Sequence, residues 1–99
     1  WLCDPMHGNT YNNSLNMKTR SINDIVMEIS LFLKIHKKEK TIPGGLHLEL
    51  TGDNVTECVG GKHNLHDKDL NTNYQTTCDP RLNAEQSVDI AFEVAELLK

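Results

Sequence analysis

The sequence lacks any excess of positive charge: ten Lys and Arg stand against fourteen Asp and Glu, a formal net charge of −4. That leaves no basic field for nucleic acid, and the cations lie scattered or gathered at one helix end. Also missing is any run approaching the roughly 20 apolar residues that a membrane span requires. There is no initiator Met and no basic-then-apolar leader, so the chain, opening at Trp1, reads as internal to a longer protein. Cysteine is sparse and odd in number (Cys3, Cys58 and Cys78), with no Cys-x-x-Cys pair of the kind that holds zinc. Reduced thiols in a cytoplasmic protein are the plain expectation. The glycosylation-type triplets Asn12-Asn13-Ser14 and Asn54-Val55-Thr56 carry little weight without a leader. A chain of 99 residues, 37% apolar and 24% charged, is bounded to one modest domain, burying about two-thirds of its unfolded surface.

What is present is an alternation of strand and helix patterns. Trp1-Leu2-Cys3 is a short apolar run stopped by Asp4-Pro5, the end of a strand. Met6 to Met17, rich in Gly, Asn, Thr and Ser, reads as a long polar loop. Ser21 with Asp24 resembles a capping box, and Ile22, Ile25, Val26, Ile29, Phe32 and Leu33 then fall at helical spacing to about His36. Lys34, Lys37, Lys38 and Lys40 crowd the end of that helix, where cations meet the negative pole of its dipole. After Pro43-Gly44-Gly45, the run Leu46-His47-Leu48-Glu49-Leu50 alternates strictly, a strand with leucines on one face and His47 and Glu49 on the other. Asp67 to Tyr74 suggests a short helix and Tyr74 to Cys78 a short strand. Asn83 with Gln86 caps a final helix. The order β, α, β, short α, β, α implies parallel strands in an α/β protein. Three parallel strands leave unpaired edges, which suits a fragment of a larger sheet.

In such folds reactive groups collect at the carboxyl ends of strands. Here that edge carries Asp4 and His7, then Glu49, then Asp79 and Arg81. Successive spacings of roughly one β/α repeat let His7, Glu49 and Asp79 converge. One imidazole and two carboxylates suit Mn²⁺, Fe²⁺ or Co²⁺, with Zn²⁺ also open. Each residue also has an ordinary reading. His7 could be a surface residue, Asp79 before Pro80 could start a turn, and a buried Glu49 could be satisfied by a cation or hydrogen-bond donors. Lys18-Thr19-Arg20 precedes the first helix, where a phosphate could be held, or could be solvated charge. Gly60-Gly61 is too short for a phosphate loop, and His36, His63 and His66 have no evident partners.

The segments Trp1 to Thr10, Lys18-Thr19-Arg20, Pro43 to Gly52, Asp53 to Cys58 and Cys78 to Ala84 together resemble signatures of the class II (plant-type) 3-deoxy-D-arabino-heptulosonate 7-phosphate (DAHP) synthases. They stand in family order across almost the whole chain. The resemblance implies that residues 1–99 are a partial domain, the C-terminal part of a (β/α)8 TIM barrel (about strands six to eight with their helices). It implies condensation of phosphoenolpyruvate with erythrose 4-phosphate, releasing phosphate, as the first step of the shikimate pathway. It further implies a divalent metal, often manganese, held by His7, Glu49, Asp79 and a Cys from an earlier strand outside this chain. Lys18, Arg20 and Arg81 become candidates for part of the cationic clamp on the substrates. The implied whole protein is a cytoplasmic homo-oligomer without a nucleic-acid or membrane partner. Asp53, where plant members tend to have Gln, leans towards a bacterial rather than plastid source. Rival expectations are a non-catalytic fragment and a small zinc module built on Cys58 and Cys78.

Overall fold

The computed structural model describes residues 1–99 as a small α/β unit. Strand β1 (Leu2–Cys3) is followed by a 3-10 turn at His7–Asn9, then by β2 (Thr10–Asn12) and β3 (Lys18–Arg20). Helix α1 spans Ile22–Glu39, strand β4 is Gly45–Leu46, a 3-10 helix covers Asp67–Thr72, and α2 spans Ala84–Leu97. No helix is long and apolar enough to cross a membrane.

The expected parallel pairing is present in reduced form. β1 pairs in parallel with β4, Leu2 opposite Gly45 and Cys3 opposite Leu46. Gly44 starts this pairing, donating its N–H to Trp1 O at 2.7 Å. A Cβ at Gly44 would sit 2.7 Å from that same oxygen, so only glycine lets the backbones meet this closely. Beyond β4 the expected strand through Leu50 loses its ladder and keeps one parallel bridge, Leu50 to Leu82. The alternation holds as far as Leu48: Leu46 and Leu48 pack on the core, whereas Leu50 is exposed.

Two expectations are corrected. Residues 10–20 are not a loop but an antiparallel hairpin, with Thr10 opposite Arg20 and Asn12 opposite Lys18. Asn13 makes the turn: its Oδ1 accepts the N–H of Leu15 and of Met17, and Asn16 takes a left-handed φ of 59°. Tyr74 to Cys78 is not a strand. The N–H groups of Gln75 and Thr76 are turned onto the Glu57 carboxylate, so they have no neighbouring strand to pair with.

The helices form where their caps and periodicity put them. Ser21 Oγ accepts the N–H of Asp24 at 3.4 Å, and the helix runs past His36 to a left-handed Lys40. His36 is buried, with Nδ1 2.7 Å from Thr41 Oγ1 and its ring edge-on to Phe32. At α2 the Asn83 and Gln86 side chains cap each other's backbone N–H reciprocally. Ile22, Ile25 and Ile29 of α1 meet Ile90 of α2, and Met6, Cys58 and Leu82 complete the buried cluster. Met27, Leu31 and Ile35 on α1, and Val88 and Phe92 on α2, stay exposed.

Ile90 is 1% exposed in the contact between the helices. Ile90→Ala should therefore cost about 2–5 kcal/mol of stability, measured by urea unfolding. A loss under about 0.5 kcal/mol, the range of surface substitutions, would mean the helices do not pack this way.

Candidate metal centre

Three segments bring their ends together. The turn after β1 presents His7, the stretch after β4 presents Glu49, and the segment before Leu82 presents Asp79. The ligand atoms of His7, Glu49 and Asp79 all lie within 4.8 Å of one another. His7 Nε2 stands 3.0 Å from Glu49 Oε1 and 4.0 Å from Asp79 Oδ2. Glu49 is fixed through its backbone as well: its N–H meets Met6 Sδ, and its carbonyl accepts from Leu82.

Each of the three side chains is anchored through its other polar atom. His7 Nδ1 lies 2.5 Å from Asp4 Oδ2, whose partner oxygen Oδ1 accepts the N–H of Met6 and of His7. Arg20 Nη1 holds Glu49 Oε2 at 2.6 Å. Lys18 Nζ holds Asp79 Oδ1 at 2.7 Å. What remains free is one imidazole nitrogen and two carboxylate oxygens facing a common point. A histidine fixed by a carboxylate on its far nitrogen is the usual outer arrangement of a metal-ligating imidazole.

The electrostatics follow from these contacts. The Asp4 hydrogen bond, with the Glu49 charge behind it, raises the His7 pKa. Desolvation pushes Asp4 up, but the N–H groups of His7 and Met6 outweigh it and hold that carboxyl below its ordinary value. Lys18 lowers the Asp79 pKa, and Asp79 raises that of Lys18. A ligating imidazole has to be neutral, so a cation must displace any proton from Nε2. The donor set fits a hard or borderline divalent metal. Asp4, His7 and His47 form a second group within ligand distance, with the His7 and His47 rings stacked at 6.1 Å.

The three cations expected to meet substrate are all engaged with carboxylates. Arg20 is fully buried and bonds Thr10 Oγ1, Glu49 and Pro80 O, which makes it an internal anchor rather than a surface clamp. Arg81 is paired through Nε and Nη2 with Glu57 at 3.0 and 2.9 Å. Lys18 is half-exposed beside Asp79. Sequence reasoning missed Asp4 as the orienting partner of His7, although the three-residue spacing within one turn was there to see. It also missed Glu57, which only burial reveals. His63 has partners after all, with Nε2 3.4 Å from both Glu85 and Asp89, whereas His66 meets Asp69 Oδ2 only through its backbone N–H, at 2.8 Å.

The cysteines take no part in either ligand group. Cys58 is buried, desolvation pushes its thiol up to about 12, and Sγ points at Arg81 O. Cys78 is exposed. The geometry therefore gives no support to a zinc module built on Cys58 and Cys78, one buried against Arg81 O and the other exposed.

An imidazole–carboxylate cluster at strand ends, with the donor set to hold a metal ion, defines the class of site. Comparison with known proteins gives the family: the chain belongs to the Class-II DAHP synthetase family, whose model matches residues 1–95. The phospho-2-dehydro-3-deoxyheptonate aldolase AroG of Mycolicibacterium smegmatis is 52% identical over all 99 residues, which are 21% of that protein. The Neurospora crassa enzyme of the same name is 56% identical over 96 residues, 97% of this chain and 20% of its own length. A Streptomyces lividans protein of that name is 52% identical over 99 residues, 68% of its length. The chain thus spans about a fifth of the first two relatives. The expectation that it is their carboxyl-terminal part does not follow from these matches.

The Glu57–Arg81 pair sets an acid limit on stability. Burial desolvates Glu57 and pushes its pKa up, but bonds from Arg81 and from the backbone N–H groups of Arg81 and Gln75 outweigh this and lower it. A lowered folded pKa gives stability that is full above the unfolded value of about 4.3 and is lost as pH falls through the folded one. The difference in Tm between the native protein and Glu57→Gln should therefore shrink from pH 7 to pH 3. A difference unchanged over that range would contradict the assignment.

Proposed function

We propose that this chain is part of a DAHP synthase, condensing phosphoenolpyruvate with erythrose 4-phosphate, taking up water and releasing phosphate. This is a transferase reaction opening the shikimate pathway to aromatic amino acids. The observation that carries the reading is the convergence of His7 Nε2, Glu49 Oε1 and Asp79 Oδ2, each anchored from behind. The family match over residues 1–95 supports it.

When bound, a divalent metal (Mn²⁺ first, with Co²⁺, Fe²⁺ or Zn²⁺ as alternatives) supplies Lewis-acid polarisation of the aldehyde. His7, Glu49 and Asp79 would hold it, with a cysteine from elsewhere in the protein as fourth ligand. Asp4 keeps the His7 ring turned so that Nε2 faces the site. Arg20 and Lys18 hold the two carboxylates at fixed positions, which spares the bound state the cost of ordering them. The half-exposed Lys18 and the partly exposed edge of Arg81 are the cations this chain offers to a substrate anion.

We place the chain in a (β/α)8 barrel, as a run of its β/α units. The parallel contacts of β1 with β4 and of Leu50 with Leu82 support this reading. So do the apolar faces left open on α1 and α2, which further barrel helices would cover. A cytoplasmic homo-oligomer remains part of the proposal. The bacterial and fungal relatives match at 52% and 56% identity, so a bacterial source rests on Asp53 alone.

Glu49→Gln keeps the shape of the side chain and removes its charge. In the whole protein it should weaken Mn²⁺ binding by more than the roughly 10–100-fold that loss of an outer partner costs, and condensation should fall with it. Release of phosphate from phosphoenolpyruvate in the presence of erythrose 4-phosphate measures the activity. Full metal-dependent turnover in that variant would overturn the ligand assignment, and no condensation by the native protein would overturn the function.

A further inference from the structure

The segment 74–81 carries Asp79 yet has no strand ladder of its own. Both of its ends are held by one distant side chain. Glu57 is fully buried and touches none of the three ligands. Its Oε2 accepts the N–H of Gln75 at 3.1 Å and of Thr76 at 2.9 Å. Its Oε1 accepts the backbone N–H of Arg81 at 2.9 Å, and the Arg81 guanidinium closes a fork onto both oxygens. Both ends of the loop are therefore pinned to a single carboxylate, with Asp79 between them.

The loop is braced internally as well. Thr76 Oγ1 donates to Asp79 O at 2.7 Å and accepts the N–H of Cys78 at 3.2 Å. An ionised carboxylate only accepts, so it can take all five of these donors. A glutamine in its place must turn an N–H₂ group towards N–H donors at one end, releasing either residues 75–76 or Arg81.

We propose that Glu57 is a positioning residue for the metal centre. By clamping residues 75, 76 and 81 it sets where Asp79 stands, and through Asp79 it sets metal affinity. This rests on the metal-site reading given above. Loss of an outer partner of a metal ligand costs roughly 10–100-fold in affinity. Glu57 acts at one further remove, which points to the lower end of that range.

The test is Mn²⁺ titration of the metal-free whole protein, following the resonance signal of the free ion, with folding checked by circular dichroism. Glu57→Gln is expected to stay folded and bind Mn²⁺ roughly tenfold more weakly. Thr76→Val, which removes only the hydroxyl brace, should weaken binding in the same direction by less. Glu49→Gln serves as the reference. If Glu49→Gln loses Mn²⁺ while folded Glu57→Gln binds it as the native protein does, Glu57 is merely structural and the proposal falls. If Glu49→Gln itself binds normally, the metal assignment falls and takes this inference with it. Should Glu57→Gln fail to fold, native affinity in Thr76→Val overturns the proposal.

Discussion

The fold around the site depends on one buried guanidinium. Arg20 reaches Thr10 in the hairpin that follows His7, Glu49 beyond β4, and the carbonyl of Pro80 next to Asp79, at 2.7, 2.6 and 2.7 Å. A single side chain thus touches all three ligand-bearing segments. A fully buried charge is tolerated only when paired and hydrogen-bonded, so these contacts are obligatory as well as favourable. Truncating Arg20 would leave Glu49 facing an uncompensated neighbourhood, typically a cost of about 3–5 kcal/mol. Its Nη2 is buried with no protein partner, leaving that NH2 group open while Nε and Nη1 are engaged.

Charge balance gives the site its chemistry. Asp4, Glu49 and Asp79 supply three carboxylates against the two cations Lys18 and Arg20. With His7 neutral the cluster carries a net charge of −1, and its inner donor atoms crowd within 4.8 Å of one another. A divalent cation relieves that repulsion. The anchors matter here because they satisfy the outer lone pairs without reaching the inner ones. Two of the cations that look like substrate clamps in the sequence, Lys18 and Arg20, hold Asp79 and Glu49 in place.

Much of this is legible in the sequence. The caps at Ser21 and Asn83, the helical spacing of α1 and α2, and the alternation from Leu46 are local signals that packing reinforced. Strand ends in parallel folds collect reactive groups, which made His7, Glu49 and Asp79 candidates, and the resemblance to the synthases singled them out as a ligand set. The hairpin was hidden because Thr10–Asn12 and Lys18–Arg20 have no apolar alternation, and their pairing rests on the turn chemistry of Asn13 and Asn16. The Tyr74–Cys78 strand failed for a non-local reason, since the N–H groups of Gln75 and Thr76 go to the buried Glu57 side chain, eighteen and nineteen residues away. The roles of Arg20 and Glu57 were invisible because burial is a property of the assembled chain.

The central claim is that His7, Glu49 and Asp79, with Arg20 behind them, define one divalent site. Anomalous diffraction at the manganese edge from Mn²⁺-soaked crystals of the whole protein tests it most directly. The account predicts one peak about 2 Å from His7 Nε2 and from the inner oxygens of Glu49 and Asp79. A peak held instead by Asp4, His7 and His47 would contradict it.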